Sequence, residues 1–263
     1  MDLIQRIKSY GTYRWNAKSD QRIHSPFTFK LLNEVFYQKS IDTSVENKIE
    51  ARRKALLQDK TFIEVKDLGA GANQWATTQR RISDIAKTSL KRKKYAQLIY
   101  RIVRHFKPQT TLEMGTSLGI TTSYIGQGYP AGKVITIEGC PQISKVAAQT
   151  FHQTNTTNII QYTGSFEQKL PEVFEQFPLF DIVFIDGNHS YAPTVSYFEQ
   201  ALNHAHNDTV FIMDDIHWSK GMEDAWNKIV RHPKVTISID IYEMGFVFIR
   251  QENKEPKHFI IKY

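Results

Sequence analysis

Cysteine is almost absent from this sequence, which contains one, Cys140, among 263 residues. A single thiol excludes an internal disulfide and a zinc site of four thiolates, and it is typical of a reducing compartment. Long apolar runs are also absent. No stretch approaches the ~18 uncharged apolar residues of a membrane-spanning helix, and the first residues lack the apolar segment of a secretory signal. We therefore expect a cytoplasmic protein that does not span a membrane.

Glycine and proline are scarce, at 13 and 9 residues, while 41% of the chain is hydrophobic and 23% is charged. This composition excludes collagen-like and disordered classes and is typical of a globular protein. The length fits one large α/β domain, or a core domain with an appended segment.

Positive charge is confined to one half of the chain. The net charge is +7 in total, but residues 1–107 hold 23 Lys and Arg against 10 Asp and Glu, a net +13, and residues 108–263 carry −6. The basic half leaves open a polyanionic partner such as RNA. Charged helix faces are more often simply solvated, so the charge alone does not identify a partner.

The basic half has the pattern of helices. Apolar residues recur at helical spacing near residues 3–7, after a turn at residues 24–27, in a charged stretch at 45–58 and in a long segment at 82–106 that Pro108 ends. We expect an N-terminal helical extension over residues 1–107 and a core over residues 108–263. Within the extension, a glycine-rich loop at 67–73 resembles a cofactor loop but lacks a following strand that ends in an acid.

The second half alternates short β-rich runs with helical ones, which predicts an α/β fold. The expected sheet is mostly parallel and seven-stranded, and its last two strands form an antiparallel hairpin at the edge. Its strands are predicted at 111–114, 133–138, 159–163, 180–186, 209–213, 235–241 and 245–250.

Polar residues follow the first five predicted strands, where ligands bind in open α/β sheets. The first strand ends in Glu113 and a turn with Gly115 and Gly119, but Ser117 stands where a dinucleotide site needs its second glycine. A ligand without pyrophosphate fits this turn. S-adenosylmethionine is such a ligand, since Glu113 could attract its ammonium group and Glu138 could accept hydrogen bonds from two ribose hydroxyls.

Residues 82–250 resemble class I S-adenosylmethionine-dependent methyltransferases, and among them the small-molecule O-methyltransferases of the catechol, caffeoyl-CoA, macrolide-sugar and cephamycin types. The resemblance implies a Rossmann-like doubly wound sheet and a helical N-terminal extension that covers the cofactor. Phe166 departs from the small polar residue that is common beside adenine. The cofactor contacts that it implies are Glu113, Gly115, Thr116, Ser117, Gly119, Thr121, Glu138, Ser165, Phe166 and Asp186.

The resemblance also implies a metal and a base. Asp186, Asp214 and Asp215 match the carboxylates that hold a divalent ion in metal-dependent members, and such hard oxygen ligands suit Mg²⁺ or Mn²⁺. Asp186 and His189 are the expected catalytic residues, with His189 as general base. The alternatives are that the aspartates cap turns and that His189 is an ordinary loop residue, because metal-independent relatives exist.

The expected function is methyl transfer to a hydroxyl of a small molecule, with or without a divalent metal ion. An RNA methyltransferase is disfavoured, since the strand ends carry neither a motif for a flipped base nitrogen nor a catalytic cysteine. A fold relative that binds S-adenosylmethionine without catalysis also stays open, as does a homodimer.

Overall fold

A computed structural model of the chain describes residues 3–17, 25–66 and 77–263. The chain divides into two compact units. Residues 39–178 form one, here called the middle unit, and residues 1–38 together with 179–263 form the other, here called the split unit. The domain boundary expected after residue 107 lies inside the middle unit and stays a prediction. The glycine-rich loop at 67–73 lies outside the described residues.

Three parallel strands form the centre of the middle unit. They are β3 (Thr110–Met114), β4 (Lys133–Glu138) and β5 (Ile159–Thr163), with β4 between the other two. Each is followed by a helix: α6 (Ile120–Gly128), α7 (Pro141–Thr154) and α8 (Phe166–Gln176). The bounds of β4 and β5 are those predicted, because both contain β-branched residues, which are favoured in strands.

The first part of the middle unit is less helical than expected. It contains α3 (Thr43–Gln58), α4 (Ile82–Ser89) and α5 (Lys93–Phe106), but also a two-stranded antiparallel sheet of β1 (Phe62–Lys66) and β2 (Thr77–Arg81). The segment 82–106 was expected to be one helix and is two. The hydroxyls of Thr88 and Ser89 donate to the carbonyl oxygens of Asp84 and Ile85, at 3.1 and 2.9 Å, and compete with the main-chain bonds that would continue the helix. Four successive cations follow at 91–94.

One hydrophobic cluster binds these helices to the turn after β3. Residues of α3, α4 and α5 share it with residues of the turn, α6 and α7, and Tyr124 of α6 has no exposed surface. Burying each large apolar side chain contributes roughly 1.5–3 kcal/mol, so the turn is held by the helices that cover it. Members of the cluster include Ile49, Leu56, Ile85, Tyr100, Leu118, Ile120, Tyr124 and Val146.

The split unit holds the other strands of the α/β fold. They are β6 (Phe180–Ile185), β7 (Ala205–Asp214), β8 (Ile237–Asp240), β9 (Met244–Phe248) and β10 (Lys257–Ile260), in the order β10-β8-β9-β7-β6. Its helices are α9 (Tyr191–Leu202) and α10 (Lys220–Val230). β6 and β7 are parallel, and β9 runs antiparallel to both β7 and β8.

The predicted fold class is confirmed: the strands are mostly parallel, and the hairpin of β8 and β9 is antiparallel. The strand count is corrected, because the described residues contain β10 in addition to the seven predicted strands. β10 pairs with β8 in parallel, so the hairpin does not form the edge. A four-residue strand that follows a polar segment carries too little periodicity to be predicted.

Two N-terminal helices belong to the split unit. They are α1 (Leu3–Asn16) and α2 (Pro26–Leu31), and α2 continues as a π-helical turn at Leu32–Phe36. The hydroxyl of Tyr13 donates to the carbonyl oxygen of Ile261 at 2.6 Å, and the rings of Phe36 and Phe246 lie 4.9 Å apart. None of the helices in the described ranges is long and apolar enough to cross a membrane.

The packing of α10 on β9 leaves no room for a side chain at Gly245. A methyl group there would lie 2.5 Å from Cη2 of buried Trp226, so we expect Gly245→Ala to lower the free energy of unfolding by about 1–3 kcal/mol. Thermal unfolding of the two proteins measures the change.

The matched control is Gly11→Ala in α1, where nothing lies within 4 Å of the added methyl group. Alanine is the better helix former by up to ~1 kcal/mol, so this variant should be as stable as the wild type or more so. Equal melting temperatures for both variants would contradict the described contact of Trp226 with β9.

Candidate functional site

The turn between β3 and α6 has a backbone that glycine makes possible. Gly115 and Gly119 have φ of 110° and 81°, and Ser117 between them has φ of 49°. At Gly119 a Cβ would lie 2.8 Å from the ring of Phe151 and 3.2 Å from Cα of Ala147. Only glycine combines this φ with so close an approach of α7.

Glu113 at the end of β3 is completely buried. Its Oε2 atom accepts hydrogen bonds from the hydroxyls of Thr122 and Thr136, both at 2.6 Å, and the hydroxyl of Thr136 lies 2.6 Å from that of Thr116. The carboxylate therefore ties β3 to β4 and to α6. A contact with the ammonium group of a cofactor, expected for Glu113, stays a prediction.

Thr122 and Thr136 were missed by the sequence reasoning, which singled out Thr121. Thr121 is half-buried one residue before Thr122. On a helix, adjacent residues face different directions, so the choice between Thr121 and Thr122 depends on how α6 is rotated about its axis. Thr136 could have been found from the register of β3 and β4, in which it pairs directly with Glu113.

Glu138 at the end of β4 is fixed by the main chain. Its Oε2 atom accepts the N–H of Ser117 at 2.8 Å, and its Oε1 atom accepts the N–H of Cys140 at 2.9 Å. Burial raises the pKa of this carboxyl, while the N–H groups of Cys140, Ser117 and Gly139 act in the opposite direction. Each oxygen retains a second lone pair, so the carboxylate can still accept two hydroxyl donors.

Two further residues lie at this edge of the middle unit. Ser165 is the N-cap of α8 and accepts the N–H of Gln168 at 3.3 Å, and Phe166 begins the helix half-buried. Ser89, at the end of α4, places its hydroxyl 2.9 Å from that of Ser117. Ser89 has no signal in the sequence, since 28 residues separate it from Ser117 and only the packing of α4 on the turn joins them.

In the split unit, three predicted residues come together. The Nε2 atom of His189 lies 3.7 Å from Oδ1 of Asp186 and 3.8 Å from Oδ2 of Asp215. Asp215 has φ of 52°, directly after the end of β7. The imidazole thus lies between two carboxylates that would stabilise its positive charge.

The predicted metal ligands are not arranged as a set. Asp214 is 2% exposed and ends β7, whereas Asp215 lies beyond the strand end with φ of 52°. Within the described residues, no three His, Cys, Asp or Glu side chains form a group that could hold a metal ion. The geometry of Asp186, Asp214 and Asp215 therefore gives no support to Mg²⁺ or Mn²⁺.

A second histidine, His217, belongs to a structural network. Its Nε2 atom lies 2.9 Å from Oδ2 of Asp240 and its Nδ1 atom 3.1 Å from Oε1 of Glu223, which also accepts the hydroxyl of Ser9 at 2.6 Å. The ring stacks on Tyr242 at 5.0 Å. Burial acts to lower the pKa of His217, but the bonds to Asp240 and Glu223 outweigh it and raise the pKa above its ordinary value.

Comparison with known proteins supports a methyltransferase domain. A family model described as a methyltransferase domain matches residues 112–216. This range begins in β3 and ends just after β7, so it contains Glu113, Glu138, Asp186, His189 and Asp215. No curated protein sequence matches the chain.

Solved structures of methyltransferases have the same fold. The O-methyltransferase of Bacillus cereus in complex with S-adenosylhomocysteine is 17% identical, with a TM-score of 0.56 over 90% of this chain and 99% of that one. TomG of Streptomyces achromogenes, an O-methyltransferase of tomaymycin synthesis in complex with S-adenosylmethionine, is 17% identical, with a TM-score of 0.55 over 89% and 99%. The methyltransferase PaMTH1 of Podospora anserina, bound to S-adenosylhomocysteine, is 11% identical, with a TM-score of 0.59 over 95% and 97%. At these identities the likeness shows the fold.

The network of His217 predicts a pH-dependent stability. The folded pKa is raised above the ordinary 6.5 of an unfolded chain, so the stabilisation is complete below about pH 6.5 and is lost as the pH rises through the folded pKa. His217→Gln should lower the free energy of unfolding by about 1–3 kcal/mol at pH 6 and by less at pH 9. Urea titrations at the two pH values measure this.

His152→Gln is the control, because His152 is exposed on α7 and has no carboxylate partner among the described residues. It should change stability little at either pH. A loss of equal size at pH 6 and pH 9 in His217→Gln would show that the imidazole is not held as a cation.

Proposed function

We propose that this chain, which carries a methyltransferase domain in the fold of class I S-adenosylmethionine-dependent methyltransferases, methylates a hydroxyl group of a small molecule. The observation that carries the proposal is Glu138. Its two carboxylate oxygens are fixed by N–H groups of Ser117 and Cys140 beside the glycine turn. A fixed carboxylate with two remaining acceptor sites fits the two hydroxyls of a ribose.

The turn after β3 supports a cofactor without pyrophosphate. The turn holds Gly115 and Gly119 at positive φ, and Ser117 stands where a pyrophosphate site needs a glycine for close approach of the backbone. S-adenosylmethionine contributes an electrophilic methyl group on a sulfonium. In this proposal Glu138 holds its ribose, and the hydroxyls of Thr121 and Ser89 lie toward its methionine part.

Glu113 has a positioning role in this proposal. Its buried carboxylate fixes the start of α6 through Thr122 and β4 through Thr136, and its negative charge favours a cationic ligand at the turn. Ser165 and Phe166 are proposed to lie beside the adenine, with the ring of Phe166 offering an apolar face.

His189 is the proposed general base. Its Nε2 atom faces Asp186 and Asp215 at 3.7 and 3.8 Å, and in the tautomer with the hydrogen on Nε2 the Nδ1 atom is left to accept the proton of the acceptor hydroxyl. The carboxylates then stabilise the imidazolium. The hydroxyl oxygen forms its bond to the methyl carbon as the bond from that carbon to sulfur breaks, and the proton remains on His189.

Cofactor binding should depend on Glu138 and on pH. Glu138→Gln should lower the affinity for S-adenosylhomocysteine at pH 7.5 by about 10–100-fold, since hydrogen bonds to a charged group contribute roughly 1.5–3 kcal/mol. Because burial raises the pKa of Glu138, its ionised fraction falls at a pH above the range of an exposed glutamate. The wild-type affinity should therefore fall on acidification, and that of the variant should change less. Calorimetry at pH 7.5 and 5.5 measures both.

Glu175→Gln is the matched control. It removes the same charge from a residue that is exposed on α8. It should leave the affinity unchanged. Unaltered binding by Glu138→Gln would refute the ribose contact and, with it, the observation that carries the proposal.

Loss of the base should affect turnover and not cofactor binding. His189→Gln is expected to lower kcat on hydroxylated acceptors by 10²–10⁴-fold, the usual contribution of a general base. Its affinity for S-adenosylhomocysteine should equal that of the wild type. Activity of the wild type is compared in Mg²⁺ and in EDTA. If His189 and its two carboxylates act without a metal ion, the two rates should be equal.

Full activity of the His189→Gln variant would show that His189 is not the general base. A rate that collapses in EDTA would show that a metal ion, and not the arrangement around His189, activates the acceptor. Binding of the cofactor without methylation of phenolic or sugar hydroxyls would favour a non-catalytic fold relative.

A further inference from the structure

A pocket of about 530 Å³ opens in the split unit beside α10. Its volume lies in the range of small-molecule sites. It is lined by the first residue of α9, by residues of α10 and by the turn after α10. The lining includes Tyr191, Asp224, Asn227, Lys228, Arg231 and His232.

The pocket contains cations that the protein leaves without a counter-ion. Asp224 is paired with Lys220, and His232 lies 3.4 Å from Glu199. Among the described residues, no carboxylate pairs with Lys228 or Arg231. Cations are favoured at the C-terminal end of a helix, so the two side chains are tolerated there without a partner.

The spacing of these residues brings them to the C-terminal end of α10. Lys228 and Arg231 are three residues apart, and Asn227 and Arg231 are four apart, so each of the first two lies beside Arg231, which caps the helix. Lys228 and Arg231 thus present two positive groups to the same space, together with the amide of Asn227. This is the donor set that binds a phosphate or carboxylate.

One residue of the pocket lining, Tyr191, is close in sequence to the candidate base, His189. Tyr191, which is 44% exposed, follows His189 by two residues. An ideal Cβ on Gly221 would lie 3.6 Å from the nitrogen of Tyr191, so α10 begins against the start of α9. From Asp224 to Val230, its last residue, α10 rises by about 9 Å. A molecule in the pocket could place one end near Tyr191 and an anionic end near Arg231.

We propose that this cationic pocket binds a phosphate or carboxylate group of the methyl acceptor, so that the enzyme selects hydroxylated molecules that carry a negative charge at some distance from the reacting hydroxyl. The inference rests on the proposed function for the identity of the acceptor. The anion site itself depends only on Lys228, Arg231 and the groups beside them.

The first test measures anion binding without catalysis. Inorganic pyrophosphate is titrated into the full chain by calorimetry, and saturable binding is expected. The double variant Lys228→Gln/Arg231→Gln should bind at least 10-fold more weakly. Its affinity for S-adenosylhomocysteine should be unchanged, which also shows that the variant is folded.

The control is Lys254→Gln/Lys262→Gln, which removes two exposed cations of the same unit outside the pocket. It should bind pyrophosphate as the wild type does. If the control loses as much affinity as the pocket variant, the effect is one of net charge and the pocket is refuted as the site. Binding that does not saturate refutes it too.

The second test uses pairs of phenolic acceptors that differ only by a carboxylate or phosphate group. The anionic member should have the lower KM, and Lys228→Gln/Arg231→Gln should remove that difference while kcat on the neutral member stays the same. Neutral acceptors that are methylated without any preference for the anionic members would refute the inference and leave the proposed function intact. Pyrophosphate binding with no methylation of any hydroxyl would refute the proposed function and, with it, the acceptor as the occupant of the pocket.

Discussion

The hydrogen bond from the N–H of Ser117 to the carboxylate of Glu138 joins the turn after β3 to the end of β4. It fixes a strained stretch of backbone and a carboxylate in one contact, and the second oxygen of Glu138 is fixed by Cys140 in the same way. The helices α3, α4 and α5 then pack over that turn. The cofactor side of the candidate site is therefore preorganised by main-chain donors, which depend less on side-chain identity than ion pairs do.

The sequence predicted those parts of the structure that depend on short-range pattern. The bounds of β4 and β5 and the place of the glycine turn follow from residues at and next to strand ends. The contacts it could not predict join distant segments without a periodic signal: Ser89 with Ser117, and Thr122 with Glu113. β10 and the pairing of β1 with β2 were missed because short polar strands are stabilised by their neighbours and not by their own composition.

The positive charge of the first 107 residues is partly structural. Arg53 is nearly buried, bonds Glu50 at 3.0 Å and donates to the carbonyl of Lys91 at 2.8 Å, while Lys93 pairs with Glu46. These contacts join α3 to the start of α5, and both are helices that cover the turn. Several cations of this segment thus serve the packing of the middle unit, which weakens the argument from net charge for a nucleic-acid partner.

The split unit is built from both ends of the chain, as the bond from Tyr13 to Ile261 shows. On a ribosome, α1 and α2 emerge long before the strands on which they pack, whereas all of the middle unit lies in one continuous segment. Long sequence separation slows the formation of such contacts. The contacts within the middle unit can therefore form during synthesis, whereas those of the N-terminal helices must wait for β8, β9 and β10.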